Sequence, residues 1–240
     1  MEQGDESIDG LVSARIFNVG KVVEALKGKI LSEELSTDAG TVLKDTANTW
    51  SSTVLENGID GRDVVFPKLD TTVVSHIEGS GSPKYTRSDY LYDDYGNVTD
   101  ELDHGIVSSA ADDGSSPTGD DEVFIHRDYA VNETNWILDS VSRERVRDAQ
   151  GTRVSDVVRY YDGEVFNGLP FGQVDGGKVM REDRWLDTEG AYISTVRNRY
   201  DAWGNVTAIL DANDGRRELF YDSDTHIHLC LLYTSDAADE

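Results

Sequence analysis

One stretch of twelve residues occurs twice in the chain, and it constrains the fold more than any other feature. It reads Tyr-Asp-Asp-Tyr-Gly-Asn-Val-Thr-Asp-Glu-Leu-Asp at residues 92–103 and Tyr-Asp-Ala-Trp-Gly-Asn-Val-Thr-Ala-Ile-Leu-Asp at residues 200–211. In both copies an alternating apolar run ends at an aromatic residue, and a second run begins after Gly. Asp accepts backbone hydrogen bonds at the start of a turn, and Gly tolerates a positive φ at its end. Each copy therefore predicts a β-hairpin.

Further copies and a second repeated unit indicate an array of such hairpins. Tyr221-Asp222 is a third start, and Tyr161-Asp162-Gly163 is a degenerate one. The sequence Gly-Lys-Ile-Leu-Ser-Glu-Glu at 28–34 returns as Gly-Lys-Val-Met-Arg-Glu-Asp at 177–183. The pattern Asp-x-x-Gly, which we interpret as one recurring turn, starts at residues 93, 148, 187 and 201. Repetition on this scale is typical of repeat architectures.

The Tyr-Asp-x-x-Gly-Asn-Val-Thr motif, at a spacing near twenty residues, resembles the YD repeat of RHS proteins. Residues 159–163, followed by Gly-Leu-Pro-Phe-Gly-Gln-Val at 168–174, are similar to a segment of the B-type subunits of bacterial insecticidal toxin complexes. The repeat-motif positions are Tyr92, Asp93, Gly96, Asn97, Tyr161, Asp162, Gly163, Tyr200, Asp201, Gly204, Asn205, Tyr221 and Asp222.

The resemblance implies an all-β fold, in which antiparallel hairpins stack edge to edge into a curved sheet that forms part of a hollow shell. In RHS proteins such a shell encloses a toxic C-terminal polypeptide. The resemblance thus implies a structural wall segment of a toxin carrier that is secreted or exposed on a bacterial surface. Its partners would be the remaining repeats, the enclosed toxin domain and other toxin-complex subunits.

The charge of the chain argues against several other classes of protein. It has 240 residues, of which 47 are acidic and 22 basic, giving a net charge of −25. Such a surface repels phosphate backbones and anionic lipids, so we expect no binding to nucleic acid. No apolar run approaches the roughly 18 residues of a membrane span. Solubility or a salty habitat explains the acidity, and a set of Ca²⁺ sites is the alternative.

Both ends of the chain suggest that the repeat series is incomplete. The acidic start lacks the apolar core of a signal peptide, so we expect Met1 to be an internal methionine. Residues 230–240 match a translated transposase-type sequencing adapter, so we interpret them as an artefact that does not pack on the repeats in 1–229. The turn glycine and outgoing strand of the Tyr221-Asp222 unit would then be missing. Cys230, the only cysteine, lies in this tail, which excludes disulfides elsewhere.

Several local patterns give further structural predictions. Residues 10–26 fit either a helix or a strand, and their β-branched content favours a strand. The run Val64–Phe66 should end at Pro67, because proline cannot donate to a β-ladder. Residues 108–122 are rich in Ser, Asp and Gly and predict an exposed, mobile loop. A hairpin of 137–148 with 152–161 would place Arg143, Arg145 and Arg147 on one polar, outer face.

Candidate chemical sites are each explained more simply by structure. Asp93 with Asp94, and Asp201 with Asp211, could form a glycosidase pair, but turn chemistry already accounts for them. The acidic residues between 112 and 122 could hold Ca²⁺, although no EF-hand spacing is present and a solvated acidic loop is favoured. His226 and His228 lack a third metal ligand in the sequence.

No catalytic serine motif, phosphate-binding loop or Asp-Pro self-cleavage site occurs in the sequence. We therefore predict no enzyme activity, no cofactor and no metal. The alternative function is a cell-surface adhesin that stacks sugars on its repeated aromatic residues. These residues are more simply core and turn positions, and they are Tyr92, Tyr95, Tyr200, Trp203 and Tyr221.

Overall fold

The structure is a computed structural model, and it describes residues 6–8, 11–20, 24–59, 61–77, 81–115 and 118–234. Within these residues the chain is all-β, with fifteen strands and a single 3₁₀ turn at Glu24–Leu26. The strands are β1 Glu6–Ile8, β2 Leu11–Phe17, β3 Ile30–Thr37, β4 Val42–Asn57, β5 Asp63–His76, β6 Lys84–Tyr92, β7 Val98–Val107, β8 Val123–Asn132, β9 Ile137–Asp148, β10 Arg153–Tyr161, β11 Val179–Leu186, β12 Ala191–Tyr200, β13 Val206–Asp211, β14 Arg216–Tyr221 and β15 Leu229–Thr234.

The chain divides into two compact units, each built of hairpins. The first unit comprises residues 1–125 and 147–152, and the second comprises residues 126–146 and 153–240. In the first unit β1 to β7 pair with their neighbours in chain order, and every pair is antiparallel. In the second unit β10 to β15 do the same. The predicted fold class, an all-β array of antiparallel hairpins, is confirmed.

The longest hairpin, β4 with β5, runs through a proline that was expected to end the strand. β3 pairs with β4 only up to Ala47, and β6 pairs with β5 only from Thr71 onward. Pro67 lies beyond both limits, opposite Ser52, where β5 has a single registered neighbour. A missing N–H on the open side of such a strand breaks no ladder hydrogen bond. The prediction of a strand end at Pro67 is therefore wrong.

Buried apolar residues are few, because each hairpin covers only its neighbours. In the second unit Ala130, Tyr161 and Val174 form a buried cluster, against which Ile137 and Val179 pack. With these two residues the cluster joins four strands, β8 to β11, to the long loop between β10 and β11. It is the support on which that loop rests.

The strand preferred for the ambiguous N-terminal segment is confirmed as β2, Leu11–Phe17.

The described part of the predicted artefact tail belongs to a strand, because Leu229–Thr234 forms β15 and pairs with β14. All six of its side chains remain exposed. An open sheet edge can pair with an extended segment through backbone groups alone, whatever its side chains. The expectation of no packing is therefore wrong for the backbone of β15, while residues 235–240 lie outside the described part.

The acidic loop after β7 is held by its own carboxylates. Asp112 accepts hydrogen bonds from Ser108 N, Ser108 Oγ and Gly114 N, and Asp121 accepts from Ile106 N. Most of its described residues are exposed, as predicted, but Glu122 is buried. Residues 116–117 lie outside the described part of the loop.

Candidate functional site

The two Tyr-Asp turns have the same geometry. The Asp93 carboxylate accepts hydrogen bonds from Tyr95 N at 2.9 Å and Asn97 N at 2.8 Å. The Asp201 carboxylate accepts from Trp203 N and Asn205 N, both at 2.9 Å. The closing glycines lie at φ 90° for Gly96 and 91° for Gly204. The predicted hairpin turn with a left-handed glycine is confirmed in both copies.

The asparagine of the motif has a role that the sequence did not reveal. The Asn97 amide donates to the second carboxylate oxygen of Asp93 at 2.9 Å, and Asn205 does the same to Asp201 at 3.1 Å. Asn205 also donates to the carbonyl oxygen of His226 in a later turn at 2.8 Å. Although burial alone would raise the pKa of Asp201, the hydrogen bonds from Asn205 and the turn amides lower it. The asparagine thus holds the aspartate in its acceptor position.

The same turn occurs elsewhere with different residues. Asp148 accepts from Gln150 N and Thr152 N, as predicted. Thr37 replaces the aspartate at 37–41, where its hydroxyl accepts from Thr41 N. At 211–215 Asp211 is the acceptor, and Asp214 takes the glycine position at φ 64°.

The predicted turn at Asp187 is different, because Glu189 and Gly190 donate to the Leu186 carbonyl instead. Asp187 accepts a hydrogen bond from the Trp185 indole. Its carboxylate is therefore drawn to a side chain of the preceding strand rather than to the backbone of the turn. The interpretation of this position as a fourth identical turn is wrong.

The tyrosine of each motif connects its strand to the preceding one. Tyr92 Oη donates to the Leu69 carbonyl at 3.0 Å, and Tyr200 Oη donates to the Val179 carbonyl at 3.0 Å. In the degenerate copy Tyr161 Oη donates to the Val141 carbonyl at 2.7 Å. Burial raises the pKa of all three phenols, so they remain protonated donors at neutral pH. These contacts place the motif tyrosines in structural roles.

Among the described residues, a lysine ammonium group also lies over the aromatic ring in the Tyr92 and Tyr200 contacts. Lys68 precedes Leu69, and its Nζ lies 5.9 Å from the centroid of the Tyr92 ring. Lys178 precedes Val179 and lies 5.8 Å from the Tyr200 ring.

The second repeated unit of the sequence is explained by a third example of the same contact. Trp50 donates to the Ile30 carbonyl at 2.9 Å under Lys29, whose Nζ is 5.2 Å from the indole. Gly-Lys-Ile at 28–30 and Gly-Lys-Val at 177–179 therefore supply the cation and the carbonyl for an aromatic residue of the next strand. We call the lysine, the following carbonyl and the aromatic residue a staple.

The degenerate copy at Tyr161-Asp162 begins a long loop instead of a tight turn. Asp162 N donates to the Lys178 carbonyl at 2.7 Å, so the hairpin closes after an excursion of residues 163–177. The Asp162 carboxylate accepts four backbone N–H groups, from Asp175, Gly176, Gly177 and Lys178, at 2.8 to 3.0 Å. Burial would raise the pKa of this carboxyl, but the four donors together lower it.

The Tyr221-Asp222 start also has a complete turn. Asp222 accepts backbone hydrogen bonds from Thr225, Ile227 and His228, and these lower its pKa. His226 takes the left-handed position at φ 57°, and β15 is the outgoing strand. The expectation that the turn and outgoing strand are missing is wrong, because a longer turn without glycine replaces the short one.

The arginine stripe of β9 is not a plain solvent-facing surface. Arg143 makes a two-pronged ion pair with Asp156 on β10 at 2.9 and 2.7 Å, and Tyr192 Oη donates to the same carboxylate at 2.8 Å. Asp156 is only 2% exposed. Its burial would raise its pKa, but the hydrogen bonds from Arg143 and Tyr192 lower it. Arg145 pairs with Asp128 at 2.9 Å. Of the three predicted outer arginines, Arg147 alone is exposed.

The carboxylates considered for catalysis are turn acceptors in the structure. Asp93, Asp201 and Asp211 each bind the backbone amides of their own turns. In the part of the chain that the structure describes, no group of three or more His, Cys, Asp and Glu residues is placed to hold a metal ion. His226 stacks on Trp203, with ring centroids 3.5 Å apart.

The tips of the turns carry exposed aromatic residues. Tyr95 is 43% exposed and Trp203 is 64% exposed, so of the aromatic residues expected at core and turn positions these two are turn residues. They occupy the middle of the turn rather than a strand. No helix among the described residues has the length and apolar character that a membrane crossing requires.

A class of protein follows from the fold and these turns: an all-β protein of repeated antiparallel hairpins, stapled from strand to strand. No protein-family model matches the sequence, and no curated protein matches it. Solved structures do match. They include the TcdB2-TccC3-Cdc42 crystal structure, with a TM-score of 0.61, 12% identity and coverage of 82% of this chain and 14% of that one.

Two other matching structures belong to the same type of assembly. The Tc holotoxin pore of Photorhabdus luminescens has a TM-score of 0.57, 12% identity and the same coverage of 82% and 14%. TcdB2-TccC3 without its hypervariable C-terminal region has a TM-score of 0.53, 11% identity and coverage of 93% and 19%. The chain thus spans under a fifth of the length of these chains. The resemblance to toxin-complex proteins noted in the sequence is confirmed at the level of the fold.

Proposed function

We propose that this chain is a non-catalytic wall segment of an RHS-repeat toxin carrier, which encloses and delivers a C-terminal toxic polypeptide. The observation that carries the proposal is the fold shared with the TcdB2-TccC3 structures, together with the stapled Tyr-Asp hairpins. In this role the partners are further RHS repeats, the enclosed polypeptide and other toxin-complex subunits. The carrier acts outside the producing cell, secreted or on its surface.

The local chemistry supports a structural rather than a catalytic role. Hydrogen bonds to backbone carbonyls engage the hydroxyl groups of Tyr92, Tyr161 and Tyr200. The carboxylates of the turns accept hydrogen bonds from backbone amides. A reacting group must be free to contact a substrate, whereas these groups fix the register between strands. The adhesin alternative is not favoured by the comparisons, since the matching structures are toxin complexes.

The proposal implies that this chain is part of a longer reading frame. The test recovers that reading frame by long-read sequencing of the source DNA and expresses it as one protein. Limited proteolysis should leave a C-terminal polypeptide intact in the native protein and digest it once the repeats are unfolded. A Gly204→Val variant of the same protein should expose it earlier, because this change disrupts a turn at φ 91°. Equal digestion of the C-terminal polypeptide in native and unfolded protein would contradict the carrier role.

A further inference from the structure

An open groove of about 600 Å³ lies in the second unit, between the end of β8 and the long loop after β10. Its aliphatic surface comes mainly from Val131 and Leu169, because Val174 is largely buried, and its carboxylates come from Glu133 and Asp175. Of the described residues that line the groove, none is Lys or Arg. Neither the repeat motif nor the proposed carrier role assigns a function to this groove.

The walls of the groove are held in place by polar contacts. The Asn132 amide donates to the Val174 carbonyl at 2.9 Å, and the Asn135 amide donates to the Asp175 carboxylate at 2.8 Å. The carboxylate of Asp162 fixes the same segment of the loop through the backbone amides of residues 175–178. The groove is thus formed before any ligand arrives, which lowers the entropy cost of binding.

The turn that contributes Glu133 also carries an exposed tryptophan in an unfavourable backbone conformation. Trp136 lies at φ 55° and is 78% exposed. A bulky residue with a positive φ is rare, and such residues concentrate at functional sites. An exposed indole is also the aromatic ring that binds cations best.

We propose that this groove binds a basic segment of a partner polypeptide, with a Lys or Arg side chain inserted. The aliphatic surface matches the hydrocarbon stem of such a side chain, while the carboxylates of Glu133 and Asp175 match its charged head. The exposed indole of Trp136 does not line the groove, but it follows Glu133 by three residues in the same turn and would add a cation–π contact. The net charge of −25 would attract a basic segment to the whole chain, and the groove would then select it. This proposal does not depend on the carrier role.

The test measures binding of a fluorescein-labelled hexapeptide of alternating Arg and Ala by fluorescence anisotropy at physiological salt. A peptide with Gln in place of each Arg is the ligand control. We expect Glu133→Gln and Asp175→Asn each to weaken binding about tenfold, as expected for loss of one charge-assisted hydrogen bond. Trp136→Ala should weaken it about threefold, as for an exposed cation–π contact.

Two variants separate the groove from the general acidity of the chain. Glu189→Gln removes the same charge from an exposed turn of the same unit, and Trp203→Ala removes another exposed indole. Both should leave the affinity within about twofold of the wild type, in keeping with the small effect of a distant surface charge. Circular dichroism of each variant checks the fold.

Equal losses for Glu189→Gln and Glu133→Gln would overturn the proposal in favour of nonspecific attraction. Equal binding of the Gln peptide, or binding of neutral oligosaccharides at the groove instead, would overturn it as well. Glu133 and Trp136 lie in the turn between β8 and β9, whereas Asp175 lies in the loop after β10. A misfolded Asp175→Asn variant therefore still leaves two substitutions to decide.

Discussion

Tyr200 Oη donates a 3.0 Å hydrogen bond to the carbonyl oxygen of Val179, and Asn198 donates a second one at 2.9 Å to the same oxygen. The two donors lie on one face of β12, and the acceptor is the first residue of β11. In the first unit Trp50 and Asn48 bind the Ile30 carbonyl in the same way, at 2.9 and 3.2 Å. The pattern Asn-x-aromatic therefore fixes where a strand begins against the strand that follows it.

The first prediction is that Tyr200→Phe destabilises the second unit by about 1 kcal/mol, the net value of one intramolecular hydrogen bond. The loss stays modest because Asn198 still satisfies the Val179 carbonyl. Urea unfolding followed by circular dichroism measures the free energy of unfolding. The double variant Tyr200→Phe with Asn198→Ala should cost more than the sum of the single changes, because it leaves the carbonyl without either donor.

Tyr233→Phe is the matched control for this prediction, because Tyr233 is 60% exposed on β15. It should change the free energy of unfolding by less than about 0.5 kcal/mol, as is usual for surface substitutions. An equal loss for Tyr233→Phe and Tyr200→Phe would show that the hydrogen bond to Val179 contributes nothing specific.

The second prediction compares two glycines with the same φ and different surroundings. A Cβ at Gly96 would lie 2.7 Å from the Phe66 ring, whereas one at Gly204 would meet Lys178 Cε at 3.8 Å. The left-handed conformation alone costs an alanine roughly 1–2 kcal/mol. Gly204→Ala should lose about that amount, and Gly96→Ala should lose about 1–3 kcal/mol more from overpacking.

Hydrogen exchange monitored by mass spectrometry checks this comparison locally. Protection should fall in β6 and β7 for Gly96→Ala and less steeply in β12 and β13 for Gly204→Ala. Losses of the same size at the two sites would mean that Phe66 yields without cost, and that the close approach at Gly96 is not a constraint.

The Tyr-Asp motif predicted the hairpins, because the acceptor and the left-handed glycine of each turn are adjacent in sequence. The Asp211 turn was missed because Asp214 takes the place of glycine. A turn was predicted at 38–40, but Thr37 was not identified as its acceptor because a hydroxyl replaces the carboxylate. A pattern that requires Asp and Gly cannot find a turn in which other side chains satisfy the same geometry. The turn after Asp222 escaped prediction for this reason too, since His226 has the positive φ.

Contacts between residues far apart in sequence were beyond the reach of pattern reasoning. The repeated Gly-Lys units were recognised, but nothing in their sequence shows that each lysine covers an aromatic ring 21 or 22 residues later, at Trp50 and Tyr200. The groove was not predicted either. It depends on Asp162 closing the loop at residues 175–178, and no local signal links these two places.

The third prediction concerns the buried carboxylate of the β9–β10 pair. Asp156→Asn should destabilise the second unit by about 2–3 kcal/mol, because it removes one partner of a buried ion pair and leaves Arg143 without its counter-charge. Arg143 is 27% exposed in its side chain, so water offsets part of the loss.

Arg127→Gln tests whether burial is the cause of the Asp156 effect. Arg127 pairs with Glu144 at 2.9 Å, and that carboxylate is 34% exposed, whereas the Asp156 side chain has no exposed surface. Thermal and urea unfolding should show a loss of about 1 kcal/mol or less for Arg127→Gln, because water still reaches the Glu144 carboxylate. Similar losses for the two variants would contradict the importance of burial at Asp156.

The last prediction is that the loop of residues 163–177 opens in acid because Asp162 becomes protonated. Four backbone donors lower the pKa of Asp162 in the folded state, while an aspartate in the unfolded chain titrates near 3.9. A lowered folded pKa adds stability that is present above the unfolded pKa and is lost as pH falls through the folded pKa. Wild type should therefore exceed Asp162→Asn by about 2 kcal/mol at pH 6. The gap should begin to close near the unfolded pKa of about 3.9 and close further as the pH falls through the lowered folded pKa. Urea unfolding at several pH values measures the gap, and hydrogen exchange at residues 175–178 locates it.

Asp94→Asn, which removes an exposed carboxylate from the first unit, is the control and should show no such closing gap. A gap that stays constant from pH 6 to pH 2 would mean that the charge of Asp162 does not hold the loop.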